Sequence, residues 1–282
     1  MEQSIIERIV QTTGDIPAMP QVANLVLDRI ADPNVTPKEI QLIISKDQAM
    51  AARVLKVANS SYYGLSRSVT RLSDAIVVMG FNSLRSLVMT TVMNDLFKSF
   101  GLAEKLLWEH SLVAAATAKR IASAIRFPRV EESFLAGLMH DIGKVVLNLK
   151  MPDKTLTIVQ EVYNSKGATT FTQMEQDLFG FTHAEVGRLV AQKWNFAEEI
   201  EEAIGCHHKP AEASVLPALS HVVNLANAVC HKLEIGPTKN PDLDLHQLAS
   251  TGSLKMPRER LDELVEEISG LVFSQSGGIS VF

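Results

Sequence analysis

A His-Asp pair and a lysine interrupt an apolar stretch near the middle of the chain. The stretch reads LMHDIGKVV, and it places His140, Asp141 and Lys144 among residues typical of a protein core. Imidazole and carboxylate groups are ordinary ligands of divalent first-row metals, and such metals can activate water for hydrolysis. The stretch therefore indicates either a metal-dependent hydrolase centre or a polar patch retained by a non-catalytic protein.

Further histidines are predicted to face the protein interior, because helical spacing places them in register with apolar residues. These histidines are His110, His183 and His207, and His208 follows directly. A buried polar group without a partner costs about 1–3 kcal/mol, so a single inward histidine is usually a hydrogen-bonded core residue. Several on separate helices beside one carboxylate would all be satisfied by a shared cation, and the alternative is a hydrogen-bonded polar cluster.

Apolar residues recur at helical spacing along nearly the whole chain, and alternating strand patterns are scarce. We therefore predict an all-α protein. Capping boxes are expected at Thr36 and Thr182, and Asp47 is expected to cap a helix that ends near Asn59. Other predicted helices are 83–97, 131–149, 152–164, 183–193, 197–206, 216–233 and 257–272.

Composition restricts the class of protein. The 282 residues carry a net charge of -5 without a basic block, so nucleic-acid binding, which depends on clustered Lys and Arg, is not expected. We expect no membrane-spanning segment, because no uninterrupted apolar run approaches the roughly 20 residues that it needs. The first residues lack the pattern of a signal peptide, and two cysteines are too few for a disulfide framework. A cytoplasmic location is expected.

The chain is predicted to have three parts, with the main boundary near Gly101. An N-terminal helical subdomain spans 1–100, a histidine-containing helical bundle spans 101–235, and an extension spans 236–282. The extension contains one amphipathic helix, which either docks on the main body or mediates self-association, and a tail at 274–280 that is expected to be flexible.

The histidine pattern, on separate helices, resembles that of the HD superfamily of metal-dependent phosphohydrolases. Within it, the chain resembles the HDOD domain (HD-related output domain), which implies a multi-helix fold with an N-terminal subdomain and an HD-like bundle. The resemblance covers residues 10–235 and is carried by "IPAMP" (16–20), "IISKDQAMAARVLKVANSSYYG" (43–64), "SDAIVVMGFNSLRSLVM" (73–89) and "HAEVGRLVAQKWNFAEEIEEAIGCHHKP" (183–210).

The resemblance also implies ligand sets. By analogy with HD-GYP phosphodiesterases, one metal would be held by His110, His140, Asp141 and the position of Asn227, and a second by Asp141, His183, His207 and His208. A neutral amide replaces the expected late aspartate at Asn227, so the first site should be weakened. The Gly-Tyr-Pro segment of the HD-GYP enzymes is replaced by Lys209-Pro210-Ala211, which argues against hydrolysis of cyclic-di-GMP.

Two functions follow from these features. HDOD domains are bacterial signalling modules that act mainly through protein contacts, so the favoured interpretation is a non-catalytic module with signalling proteins as partners. Its histidines would form a polar cluster or hold a metal (Fe, Mn, Zn or Ni). The alternative is a metal-dependent phosphohydrolase, in which Asp141 would bridge metals or orient water. Lys144 would then bind phosphate, although it could instead pair with a carboxylate.

Overall fold

The structure is a computed structural model that describes residues 9, 18–65, 67–97, 102–165 and 168–273. Two compact units are distinguished, Met19–Leu96 and a larger one formed mainly by the residues from Phe97 onward. Every regular element in the described part of the chain is helical, which confirms the predicted all-α class. The residue Gly101 and the predicted tail at 274–280 lie outside the described residues, and the three-part division stays a prediction.

The described residues of the smaller unit form four α-helices and a short 3-10 helix. They are α1 (Gln21–Ile30), α2 (Pro37–Ile44), α3 (Gln48–Ala58), the 3-10 helix Ser61–Tyr63 and α4 (Leu72–Phe97). Both predicted caps are present, since Glu39 Oε2 accepts a hydrogen bond from Thr36 N (2.8 Å) and Asp47 Oδ1 accepts one from Met50 N (3.0 Å). These caps satisfy backbone N–H groups that have no partner within the helix.

Helix α4 is longer than predicted and contains a break. It starts at Leu72 rather than after Asn82, and Gly80 adopts φ 72° and ψ 160° inside it. Glycine tolerates this conformation because it lacks a Cβ atom. By length and composition, the segment Leu72–Leu96 could cross a membrane, although its sequence contains no uninterrupted apolar run of that length. In the structure, 61% of its most apolar window is buried within the protein. A core helix of a soluble protein has the same properties.

The larger unit contains ten described α-helices and two short 3-10 helices. The α-helices are α5 (Leu102–Ala124), α6 (Val130–Met139), α7 (Ile142–Lys150), α8 (Pro152–Ser165), α9 (Phe171–Phe179), α10 (His183–Lys193), α11 (Glu198–Gly205), α12 (Pro217–Lys232), α13 (Ala249–Ser253) and α14 (Arg258–Phe273). The 3-10 helices are Pro210–Glu212 and Leu245–Gln247. Most predicted helices are therefore confirmed to within one or two residues.

One predicted helix is wrong in a way that matters for the site. The segment 131–149 forms two helices, α6 and α7, and the chain breaks between them at His140 and Asp141. Asp141 adopts φ -100° and ψ 11°, outside the helical region. The two polar side chains therefore project from a turn between buried helices, rather than from one continuous helix surface.

The core of the larger unit lies between α5, α12 and the C-terminal segment. Ile121, Leu225 and Val229 are fully buried there, and Ile235, three residues after the end of α12, is 6% exposed. Helix α14 contributes Leu261, Leu264 and Ile268 to the same cluster, with exposed fractions of 0%, 0% and 1%. Of the two alternatives predicted for the C-terminal amphipathic helix, the structure has it docked on the main body.

Candidate metal centre

The histidines predicted from the sequence converge inside the larger unit. His110 lies midway along α5, and His183 is the first residue of α10. His207 and His208 follow the end of α11. Together with His140 and Asp141, their side chains form two adjacent groups of potential ligands: His110, His140 and Asp141 in one, and His183, His207 and His208 in the other.

Distances between ligand atoms are short in both groups. His110 Nε2 lies 3.2 Å from His140 Nε2, and His183 Nε2 lies 3.4 Å from His207 Nε2 and 3.0 Å from His208 Nε2. Two atoms bound about 2.1 Å from a common ion are separated by roughly 3.0–3.4 Å at coordination angles of about 90–110°. The spacing of the imidazoles therefore fits metal coordination.

Asp141 lies between the two groups. Its Oδ2 atom is 3.5 Å from His110 Nε2 and 3.4 Å from His140 Nε2, whereas its Oδ1 atom is 3.2 Å from His183 Nε2 and 3.8 Å from His207 Nε2. A carboxylate has two oxygens and can serve both groups at once. The geometry therefore places Asp141 where a bridging ligand would be.

Hydrogen bonds fix which ring nitrogen faces the centre. The Nδ1 atoms of His110, His140 and His207 lie 3.0, 2.7 and 2.7 Å from the carbonyl oxygens of Ile235, Gly137 and Ile204, respectively. A carbonyl oxygen only accepts hydrogen bonds, so each Nδ1 carries the proton and donates it. The Nε2 atom of each neutral ring then carries a lone pair that points into the centre, as is typical of metal-ligating histidines.

The charge states agree with this assignment. Burial lowers the pKa of His140 to about 4, and burial also holds the pKa values of His110, His207 and His208 below the usual value. Burial raises the pKa of Asp141, but electrostatic interactions with His140 and Lys144 and a hydrogen bond with His183 outweigh burial and keep that pKa well below its usual value. The lowered pKa values favour neutral rings at these four histidines beside an ionised carboxylate, which is the donor set that divalent metals take.

Two buried oxygen atoms at this centre lack a hydrogen-bond partner in the described structure. They are Asp141 Oδ1 and Asn227 Oδ1. Buried acceptors are normally satisfied, and both atoms belong to positions that the sequence assigned to metal ligation. A cation would interact favourably both with the Nε2 lone pairs that face the centre and with these two oxygen atoms. The residues present therefore fit a metal site of one or two ions.

Glu175 is a site residue that the sequence analysis missed. Its Oε2 atom accepts hydrogen bonds from His183 Nδ1 (2.6 Å) and from the His183 backbone N–H (2.8 Å). Burial lowers the pKa of His183, but the negative charge of Glu175 more than offsets it, and the pKa is raised. His183 is accordingly the one ring of the second group for which a proton competes with a metal.

The helix that carries Glu175 was also missed, because no helix was predicted between residues 164 and 183. Helix α9 nevertheless has recognisable ends: Thr170 Oγ1 accepts a hydrogen bond from Gln173 N, and Gly180 adopts the left-handed conformation after the last turn. A threonine N-cap followed at a distance by glycine is a sequence signal for such a helix.

Lys144 pairs with a carboxylate in this structure, one of the two roles predicted for it. Its Nζ atom lies 2.7 Å from Asp141 Oδ2 and 4.3 Å from the centroid of the Phe171 ring. A lysine ammonium has three donors, and only part of this capacity is used by Asp141. Lys144 is therefore held beside the centre with donors still to offer.

Close backbone approaches bring the ligand-bearing elements together. A Cβ atom on Gly143 would lie 1.9 Å from the carbonyl oxygen of His183, so only glycine lets α7 meet α10 at this point. Gly236 has φ 99°, and a Cβ atom there would lie 2.9 Å from His110 Cβ. These two glycines explain how helices distant in sequence can place their histidines so close together.

A cleft of about 250 Å³ opens beside the centre. It is lined by Lys144, Thr169, Thr170, Phe171, Thr172, His208, Asn224, Asn227, Ala228, His231, Thr238, Asn240, Leu243 and Leu248. His231, which the sequence analysis did not single out, stacks on His110 with ring centroids 5.6 Å apart and planes 19° from parallel. The cleft gives a small molecule access to the candidate ligands.

An all-helical body with a buried His/Asp centre at the junctions of its helices defines a protein of the HD type. The family model of the HDOD domain matches residues 16–210. Because this match covers more than half of the chain, the chain belongs to the HDOD domain family, as its sequence motifs predicted.

Similar proteins agree with this assignment. A crystal structure of an HDOD domain protein with unknown function from Geobacter sulfurreducens is 28% identical, with a TM-score of 0.80 over 94% of this chain and 93% of that one. A structure from Marinobacter aquaeolei VT8, provisionally named a signal transduction protein, is 20% identical with a TM-score of 0.74 over 95% of this chain and 59% of that one, and shows the shared fold alone.

A curated relative from Treponema pallidum (strain Nichols), called an uncharacterized protein, is 28% identical over 208 residues. The match covers 73% of this chain but only 39% of that protein. The chain therefore spans less than half the length of this relative.

Proposed function

We propose that this chain is a bacterial signalling module of the HDOD type that acts through protein contacts and holds divalent metal in its HD-like centre. The observation that carries the metal part is the orientation of the ring nitrogens. Three Nδ1–H groups are fixed on carbonyl oxygens, so the Nε2 lone pairs of His110, His140 and His207 face the Asp141 carboxylate. Bare lone pairs and an anion repel one another unless a cation lies between them.

The signalling part is supported by family membership and by the ligand set itself. Asn227 occupies the position at which HD-GYP enzymes have an acidic ligand, and a neutral amide binds a divalent cation less strongly than a carboxylate does. The ligand group of His110, His140 and Asp141 lacks a carboxylate at position 227. Such a group is better suited to bind a structural or regulatory metal than to support sustained hydrolysis. Partners would be other signalling proteins, and the expected location is the cytoplasm.

Elemental analysis of the protein purified without chelator tests the metal part. We expect Fe, Mn, Zn or Ni in stoichiometric amount in the parent chain, and loss of the metal in His140→Ala and Asp141→Ala. The variant His246→Ala is a matched control, because His246 is a histidine outside the centre that contacts Asp262. A parent chain without metal would leave only the hydrogen-bonded polar cluster.

A metal-dependent phosphohydrolase is the second candidate, and the cleft favours it. Lys144 lies at the junction of the cleft and the centre, where it would hold a phosphoryl group against the metal ligands. A bound metal would supply Lewis acidity, and Asp141 would orient the reacting groups.

An assay of the metal-loaded chain on nucleotides and simple phosphoesters separates the two candidates. The signalling proposal expects no turnover above that of Asp141→Ala. Efficient turnover that disappears in Asp141→Ala would establish the hydrolase instead.

A further inference from the structure

One candidate metal ligand is held differently from the others. In the other four histidines of the two groups, a carbonyl oxygen or Glu175 holds the Nδ1 atom. His208 Nε2 faces His183, but the described part of the chain provides no hydrogen-bond partner for His208 Nδ1. The position of this ring therefore depends on how its main chain is held.

The peptide that joins His207 to His208 is held by Asn224, on α12. The carbonyl oxygen of His207 accepts a hydrogen bond from Asn224 Nδ2 at 2.8 Å, and no backbone N–H group in the described part of the chain bonds to that oxygen. Because a peptide unit is planar, fixing the direction of this carbonyl group also fixes the plane from which the His208 main chain continues. Asn224 therefore acts on both histidines without being a ligand itself.

The side chain of Asn224 is held in turn by Ser250 and His221. Ser250 Oγ donates a hydrogen bond to Asn224 Oδ1 at 2.7 Å, and His221 Nδ1 lies 2.9 Å from Ser250 Oγ. His221 lies one turn before Asn224 on α12, whereas Ser250 reaches both residues from α13. His221 and Ser250 are buried, with exposed fractions of 9% and 1%, so water does not readily replace these hydrogen bonds.

The hydrogen bonds of this network can run in only one direction. The His207 carbonyl oxygen only accepts, so the NH₂ group of Asn224 faces it and Oδ1 of Asn224 faces Ser250. The Ser250 hydroxyl then donates its single proton to Asn224, and its oxygen is left to accept from His221 Nδ1. In a neutral His221 ring the proton is therefore on Nδ1 and the lone pair on Nε2.

We propose that His221, Ser250 and Asn224 are positioning residues, which hold the peptide between His207 and His208 in the orientation that lets the second ligand group bind a metal. The inference rests on the metal part of the proposed function. All three residues follow residue 210, where the family match ends, and Ser250 belongs to the short helix α13. The loss of one hydroxyl group in α13 should therefore weaken metal binding at a centre to which that helix contributes no ligand.

Titration of the full, metal-free chain with Co²⁺ tests this inference, because the visible absorption of bound Co²⁺ reports both affinity and coordination geometry. Ser250→Ala removes the hydroxyl group, so we expect the Co²⁺ affinity to fall at least about tenfold and the absorption bands to shift. Thr251→Val is the matched control, because it also removes a buried hydrogen bond from α13, the one between Thr251 Oγ1 and the carbonyl oxygen of Leu245 (2.6 Å). This control should lose stability to a similar extent but bind Co²⁺ as the parent does.

The protonation of His221 provides a second measurement, which needs neither a variant nor a bound metal. Nitrogen NMR spectra of the histidine rings in the parent should show a neutral His221 with its proton on Nδ1. In Ser250→Ala the acceptor for this proton is absent, so we expect the preference for Nδ1 to be lost.

The behaviour of the parent separates this inference from the proposed function. A parent that binds no metal overturns the metal centre and this inference together. If the parent binds Co²⁺, three results overturn this inference alone: parent-like affinity in Ser250→Ala, an equal loss of affinity in Thr251→Val, or a neutral His221 in the parent with its proton on Nε2.

Discussion

At the scale of single residues, the centre depends on partners that orient its ligands. His183 is held by Glu175 through both its ring and its backbone, and the rings of His110, His140 and His207 are held by carbonyl oxygens. Such outer partners fix the ring orientation and raise the basicity of the ligand nitrogen. Removing them should therefore weaken metal binding without removing a single ligand.

Glu175→Gln tests this dependence. Because the amide carries no negative charge and can present its N–H₂ group to His183, we expect metal affinity to fall about 10–100-fold. The measurement is a competition titration with a coloured chelator. Asp177→Asn, an exposed acidic residue on the same helix, is the control and should bind metal as the parent does, whereas unchanged affinity in Glu175→Gln would contradict the orienting role.

Asn227→Asp is expected to change the centre in the opposite direction. A carboxylate at this position would supply the acidic ligand that the first group lacks, so its metal affinity should rise at least about tenfold. The same titration measures this change, and Asn195→Asp adds an equal charge at an exposed position. Equal affinities in the two variants would show that Asn227 does not face a metal.

The candidate ligands were predictable from sequence because each lies in register with apolar residues or in a family motif. His110, His183 and His207 are indeed buried, with exposed fractions of 2%, 0% and 0%. Glu175 was missed because no helix was predicted around it, although on α9 it lies in register with Phe171, Leu178 and Phe179. Only the tertiary structure brings it to His183, eight residues away along the chain.

At the scale of elements, a further buried carboxylate fixes the path of the chain into α12. Glu202, on α11, accepts hydrogen bonds from the backbone N–H groups of Ser214 (2.6 Å), Val215 (2.8 Å) and Leu216 (3.0 Å). Burial raises the pKa of Glu202, but these backbone hydrogen bonds outweigh it and the pKa is lowered. Helix α12, which carries Asn227 and His231, thus begins from an anchored loop.

Glu202→Gln should destabilise the protein by about 1–3 kcal/mol at neutral pH. The folded-state pKa of Glu202 is lowered from 4.5, so its contribution is complete above about pH 4.5 and is lost as the pH falls through the folded-state value. Urea unfolding at several pH values measures the difference from the parent. The difference should shrink under acidic conditions, and Glu212→Gln, at an exposed position nearby, should show none; a pH-independent difference would contradict this account.

Element positions were predictable where local signals mark helix ends, as at Thr36 and Thr182. The break at His140 and Asp141 was not predictable, because apolar periodicity continues through it and nothing in the local sequence terminates a helix. The turn is stabilised by tertiary contacts instead. His140 Nδ1 donates to Gly137 O, and Asp141 lies against three histidines from other elements.

At the scale of the whole molecule, the C-terminal helix is part of the core of the larger unit. Its apolar stripe was visible in the sequence, but a stripe does not say whether it packs on its own chain or on a second copy. In the structure the stripe packs against apolar residues of α5 and α12 in the same chain. That apolar surface forms only when the two helices come together in the folded protein, so the sequence pattern does not reveal it. Leu271, at the end of the stripe, remains 39% exposed.

Leu264→Ala tests the docking of α14. Deleting a fully buried leucine side chain costs about 2–5 kcal/mol, and we expect a loss of this size in chemical unfolding that does not depend on protein concentration. Leu271→Ala should cost less than about 1 kcal/mol. A concentration-dependent loss in Leu264→Ala would indicate that α14 packs against a second copy of the chain.

The hydrogen bond between His110 Nδ1 and the carbonyl oxygen of Ile235 has a practical consequence for how the protein is divided. The family match ends at residue 210, yet the acceptor that orients His110 lies 25 residues further on, in a segment held by the core around α14. A fragment cut at the end of the match would lose α12 and this acceptor. We therefore expect a fragment that ends at residue 210 to lose the orientation of His110, because the end of the family match lies inside the packed core of the larger unit.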